Sequence, residues 1–221
     1  MDVSQLAQTL AIYSLPVLFA ITLHEAAHGY VARHFGDMTA YAQGRISLNP
    51  VRHVDLVGTI IVPIVILVVS KFAGGSGYLF GWAKPVPVNY SALRRPKQNM
   101  MWVAAAGPAS NLAMAVAWAA IIKFAGVLPA DYFALPLRRM GIAGIEVNMV
   151  LMLLNLLPIL PLDGGRIVAS LLPHRMAWQY AKLEPWGFPI LLVLLFTGTL
   201  GVILGPMLEV SFALIGAVFQ L

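Results

Sequence analysis

The chain has no cysteine among its 221 residues, and only 10% of its residues are charged. Without cysteine there is no disulfide framework and no thiolate ligand, so any metal site must be built from His, Asp and Glu. The scarcity of charge excludes an ordinary soluble domain. With 60% hydrophobic residues and a mean hydropathy of +0.83, the chain carries more apolar area than one core of this length can hide. Lipid is expected to cover the rest. Internal repeats are absent, as is any long polar stretch. The chain therefore reads as one membrane-embedded domain over 1–221, with a core at about 6–172 and C-terminal helices at about 189–221. No basic segment precedes the first apolar run, which is accordingly not expected to be a cleaved leader. The net charge of +5 is scattered through short loops and forms no stripe, so no nucleic-acid partner is expected.

What is present is a series of apolar windows of about 20 residues, the length of a membrane crossing. They run from about Leu6 to Val31, Met100 to Phe124 and Ile142 to Leu160. A shorter run, Leu56 to Val69, leads into Gly74-Gly75-Ser76-Gly77. The last, Pro189 to Leu221, is interrupted at Gly205-Pro206, which predicts two short helices or one kinked pair. The expected fold class is an all-α integral membrane protein of five to six transmembrane helices. Two loops stand apart from this pattern. Tyr41 to Asp55 is dense in polar side chains, among them Arg45, Asn49, Arg52 and His53. Gly81 to Tyr90 reads GWAKPVPVNY, where alternating Pro and Val exclude a helix. It reads as an edge strand or re-entrant segment lining a polar cavity, or equally as a surface linker.

The chemistry centres on HEAAH, His24 to His28, which follows the uncharged stretch Leu6 to Leu23. Two histidines four residues apart on a helix share a face and can reach one zinc ion, while Glu25 between them can act on a water. An ionisable residue near the bilayer centre costs about 2.5–3.5 kcal/mol, so three together imply a function. The competing reading is a satisfied cluster at a helix end, with Arg33 and His34 marking the membrane boundary. A catalytic zinc takes a third protein ligand. Asp163 is the best candidate, because NLLPILPLDGG (Asn155 to Gly165) breaks a helix with Pro158 and Pro161 and permits close approach at Gly164-Gly165. Asp163 also suits a helix N-cap.

These strings resemble, in order, the motifs of the site-2 proteases, a family of intramembrane zinc metalloproteases. HEAAHGYVARHFGD (His24 to Asp37) looks like the first motif, GPASN (Gly107 to Asn111) the central span, and NLLPILPLDGG the third. PVPVN (Pro85 to Asn89) is similar to an extended loop that family members place beside the active site. The resemblance covers roughly residues 15 to 170. It implies Zn2+ held by His24, His28 and Asp163, with Glu25 as general base and then proton donor to the leaving amine. It further implies contact of Asn111 and Asn155 with the substrate or the developing oxyanion. The chain departs from better-known members in lacking PDZ and CBS domains and in carrying the extra run Leu56 to Val69, so it looks like a compact prokaryotic member. The substrates so implied are single-span membrane proteins; one is expected to add as a strand near Val86 and Val88, with Asn89 a further candidate substrate contact. The expected location is a prokaryotic cell membrane, and the oligomeric state is left open.

His53 can contact an oxyanion or water, or bind a metal, but the preferred reading is a solvated loop residue. If residues 56–81 dip into the membrane and return, Arg33, Arg45, Lys84, Arg95, Arg166 and Arg175 gather on one face, which the positive-inside rule makes cytoplasmic, with the zinc site near it. If they span once, the basic residues split evenly. A metal-ion transporter and an inactive membrane scaffold are the competing functions. A serine protease using Ser76 lacks a histidine in a later span, and an intramembrane aspartyl protease needs a second aspartate.

Overall fold

The computed structural model describes residues 3–62, 65, 82–127 and 131–221. The first helix, α1 (Val3–His34), carries HEAAH two turns before its end. Gly36 terminates it at φ 106°, a backbone region that a side chain disfavours, and Asp37 N–H then donates to Ala32 O at 3.0 Å. A one-turn helix α2 (Thr39–Ala42) follows. The polar loop continues through a 3-10 turn at Pro50–His53, capped by the Asn49 side chain, and a wider turn at Leu56–Ile61, capped by Asp55. The remaining helices are α3 (Pro96–Ala125), α4 (Asp131–Asn155), α5 (Asp163–Leu171), α6 (His174–Ala181), α7 (Glu184–Phe196) and α8 (Thr199–Phe219). Among the described residues there is no strand.

Helix α3 is the centre of the bundle and packs on α1, α4 and α5. Small residues permit this, as helices in lipid associate through close backbone approach rather than through expulsion of water. A Cβ at Gly144 of α4 would fall into the Trp118 ring, and one at Gly141 would strike Ile122. Trp118, Ile122, Ile145 and Met149 form a buried cluster with Ile215 of α8. A second cluster joins Leu153 and Leu157 to Leu191, Leu200 and Leu204 of α7 and α8. The outer faces are apolar and exposed, with Leu10, Phe19, Trp102, Val116, Val202 and Leu214 pointing outward. Such a surface suits a bilayer and no other solvent. This is a membrane protein.

Among the described residues, three helices are long and apolar enough to cross a membrane: Ala7–His34, Pro96–Ala125 and Thr199–Phe219. That is fewer than the five to six expected. Residues 63–64 and 66–69 of the run Leu56 to Val69 lie outside the described residues, as do Lys71 and Gly74 to Gly77. The expected span Ile142–Leu160 corresponds to α4, which begins earlier and stops at Asn155, before the prolines. The C-terminal pair does not divide at Gly205-Pro206. It divides at Gly198, held at φ 73°, while Pro206 lies inside α8. A left-handed residue ends a helix outright, whereas a proline only deletes one hydrogen bond, which a membrane helix tolerates.

Gly144→Val would force α3 and α4 apart around Trp118. We expect a loss of about 1–3 kcal/mol, the range for overpacking a core. Thermal unfolding in detergent should show the fall in Tm, and an unchanged Tm would show that the helices have slack.

Candidate metal centre

His24 and His28 stand one turn apart on α1, with ring centroids 4.7 Å apart and planes nearly perpendicular. Their Nε2 atoms are 3.1 Å apart. Asp163 enters from the first position of α5 and places Oδ2 3.2 Å from His24 Nε2 and 3.3 Å from His28 Nε2. Both histidines are buried, at 7% and 9% exposure. The N-cap position of α5 belongs to Leu162, so the Asp163 carboxylate is turned to the histidines rather than to a capping role.

The outer nitrogens decide what this triangle is. His24 Nδ1 lies 2.6 Å from Asn111 Oδ1, and His28 Nδ1 lies 2.7 Å from the Val103 carbonyl. Both oxygens are acceptors, so each Nδ1 carries the proton and each Nε2 presents a lone pair. Asn111 is itself oriented, since its Nδ2 donates to Asn148 Oδ1 at 2.9 Å and to Ala20 O at 3.3 Å. Asn148 Nδ2 in turn donates to Gly144 O at 2.8 Å. Two lone pairs and a carboxylate oxygen thus converge with no donor among them, and Asp163 Oδ2 is buried without a hydrogen-bond partner. A cation is what such a set lacks.

The dimensions fit zinc. With tetrahedral bonds of about 2.0–2.1 Å, ligand atoms sit about 3.3–3.4 Å apart, close to all three edges here. Two imidazoles and one carboxylate form a three-ligand set that leaves the fourth position open. Space for the set is made by Gly107 of α3. A Cβ there would lie 2.5 Å from both His24 Cε1 and His28 Nε2. On the opposite side, Gly164 and Gly165 let α5 press against the Leu156–Leu160 backbone, which carries Asp163 inward.

Glu25, next to His24 on α1, has a partner of its own. Its Oε2 accepts the Val86 N–H at 2.8 Å, and Val86 is buried at 7% exposure. The segment 82–89 therefore lies across α1 and is neither a surface linker nor a strand. Trp82 N–H donates to Gly58 O, Lys84 N–H to His53 O, and Asn89 N–H to Asp37 Oδ2 at 2.6 Å. Arg45 Nη2 donates to the carbonyls of Lys84 (2.8 Å) and Pro85 (3.2 Å). Gly29 permits this approach, since a Cβ there would meet Val86 Cγ1 at 3.3 Å. Asp37 is fully buried and also accepts the Thr39 N–H, so it clamps the end of α1 to the segment. Sequence reasoning gave Asp37 no role of its own and missed Arg45 as a clamp. A buried acid beside a helix-ending glycine was the available signal.

The other candidates are placed as follows. Asn111 is 0% exposed, with its amide engaged inside the protein. Asn155 ends α4, and its Nδ2 donates to Leu151 O at 2.9 Å. Asn89 Oδ1 accepts from Ser91 N–H and caps the turn Tyr90–Ala92. His53 is not solvated. It is 2% exposed, with Nε2 on Ser47 O at 2.8 Å, because the polar loop folds back onto α1. Among the described residues, the group able to hold a metal is His24, His28 and Asp163, without His53.

No family model matches the chain, and no solved structure matches it. Its sequence is 38% identical over 217 residues to "Putative zinc metalloprotease YwhC" of Bacillus subtilis, an alignment spanning 93% of this chain and 91% of that protein. It is 30% identical over 190 residues to "Putative zinc metalloprotease Rip2" of Mycolicibacterium smegmatis, spanning 83% of this chain and 66% of the relative. The Mycobacterium tuberculosis protein of the same name is 28% identical over 192 residues.

Gly107→Ala should prevent stoichiometric zinc binding, because the methyl would occupy the space between both imidazoles. Asn111→Ala should weaken zinc about 10–100-fold by releasing His24, the usual effect of removing a partner of a ligating histidine. Metal content after dialysis against graded chelator reads both. Wild-type affinity in either variant would show that the triangle is not the metal site.

Proposed function

The chain belongs to the site-2 protease type of zinc metalloproteases and, with that as premise, we propose that His24, His28 and Asp163 hold one Zn2+ while Glu25 is the general base. It is an intramembrane metalloprotease of a prokaryotic membrane, and the metal transporter and the inert scaffold are not favoured. The proposal adds peptide-bond hydrolysis in single-span membrane proteins, at a metal site toward the cytoplasmic face. It also retains one domain over 1–221 with five to six transmembrane helices. The lone-pair triangle, buried and without a donor, is the observation that carries it.

Bound there, zinc supplies Lewis acidity toward a water and the scissile carbonyl. Glu25 takes a proton from that water as its oxygen adds to the carbonyl carbon. It then returns the proton to the nitrogen as the C–N bond breaks. Val86 N–H fixes one carboxylate oxygen and leaves the other for this exchange. Asn111 acts through His24, which it orients. The roles of Asn155, Asn89 and His53 toward substrate stay within the proposal, supported only by their nearness to these segments.

The substrate must be unwound locally, and adding it as a strand beside 82–89 is the mode proposed. Pro85 and Pro87 have no N–H, and the Val86 N–H is already engaged with Glu25. Val88 N–H makes no hydrogen bond among the described residues and is, with the Ala83 N–H, a donor left for a substrate carbonyl. Val86 and Val88 thus have different tasks.

Glu25→Gln should retain one zinc and lose cleavage of a single-span reporter by about 10²–10⁴-fold. Equal cleavage by both proteins would remove Glu25 as base, and absence of zinc from both would remove the metal site. Val86→Pro should lower kcat with zinc retained, because it deletes the N–H on Glu25. Val88→Pro should instead raise KM. Unaltered kinetics in Val88→Pro would eliminate strand addition at this segment.

A further inference from the structure

A cleft of about 400 Å³ opens beside the metal triangle and includes none of its members. Val88, Lys97, Arg166, Ser170, His174 and Glu184 are among the residues that line it. Both its walls lead from the reacting groups. On α5, Asp163 and Arg166 are three residues apart, hence on one face and about 4.5 Å apart along the axis. On the other wall, Val88 follows by two residues the Val86 that holds Glu25, about 6.6 Å in extended chain.

Its charge is unbalanced. Lys97 Nζ donates to the Leu172 carbonyl and Arg166 Nε to the Pro161 carbonyl at 3.4 Å. Among the described residues, neither cation has a carboxylate within ion-pairing distance, and the Arg166 Nη groups make no hydrogen bond. His174 lines the same cleft. Glu184 is the opposing charge, but it begins α7, where the helix dipole already compensates it. Arg166, conversely, lies in the first turn of α5, the end where a cation is disfavoured.

Resting on the protease reading, we propose that this cleft is a specificity subsite for an acidic side chain of the substrate, with Arg166 as its principal contact. The test measures binding without turnover. Zinc-loaded Glu25→Gln protein in uncharged detergent is titrated with fluorescent transmembrane peptides carrying Asp, Ala or Lys at successive positions through the unwound region. At the position that reaches the cleft, Asp should bind about tenfold tighter than Lys, as charge-assisted pairs allow. Adding Arg166→Glu should reverse that order, and Arg166→Lys should preserve it. One retained zinc in each protein shows that the fold is intact. A charge order unchanged by Arg166→Glu overturns the subsite, even if the wild-type protein cleaves every peptide. So does loss of phosphatidylglycerol retention in that variant with no change in peptide preference, which would make the cleft a lipid site. Reversal of the order together with no cleavage by wild type supports the subsite and removes the hydrolytic reading instead.

Discussion

Three electron-pair donors are forced together without a proton between them, and the bundle is arranged around that constraint. His24 and His28 each donate outward from Nδ1, to Asn111 and to the Val103 carbonyl, so neither Nε2 can donate inward. Asp163 Oδ2 completes the set. In a low-dielectric interior such a grouping is unfavourable by itself, since each lone pair has lost water and gained no partner. The outer hydrogen bonds keep it from relaxing. Reversing the His24 tautomer would set an Nδ1 lone pair against the lone pairs of Asn111 Oδ1, and turning Asn111 over would break its bonds to Ala20 and Asn148. The protein thus holds three donor atoms together at the position where a cation is proposed to bind.

Holding that geometry at membrane depth depends on small residues. The proposed ligands come from α1 and α5, which both pack on α3, and helix axes approach closely only where side chains are small. Gly107 clears room for the imidazoles, Gly164 and Gly165 bring the turn before α5 inward, and Gly144 seats Trp118. Gly144 has a second part, since its carbonyl receives the Asn148 amide that orients Asn111. Packing and tautomer control thus share residues. A substitution meant to disturb one disturbs the other.

Much of this was legible in the sequence, for identifiable reasons. HEAAH encodes its own geometry, because four residues make one turn, and an uncharged stretch before it fixes the environment. Asp163 was legible because prolines and paired glycines mark a broken helix. The division of the C-terminal pair was misplaced because Pro206 is the more conspicuous residue, although Gly198 has the backbone that stops a helix. His53 was expected in solvent because its neighbours are polar. Its burial depends on the loop folding back to α1, a long-range event that leaves no local pattern. The hydrogen bond from Val86 to Glu25 joins residues 61 positions apart and could not be read at all.

That bond links the two halves of the proposed reaction. A general base must be held near its water yet remain free to exchange a proton, and one backbone donor on one carboxylate oxygen satisfies both needs. The donor belongs to the segment proposed to receive substrate, and its path is set by other backbone bonds: Trp82 to Gly58, Lys84 to His53, Asn89 to Asp37. Arg45 fixes the two carbonyls immediately before Val86. Any shift of the segment as a strand docks on it is transmitted to Glu25 through a single N–H, with no intervening side chain to absorb the motion. Proline on either side of Val86 sharpens the coupling, because it removes competing donors and restrains the backbone. The same Pro-Val alternation that excluded a helix also makes Val86 N–H the donor on which Glu25 depends.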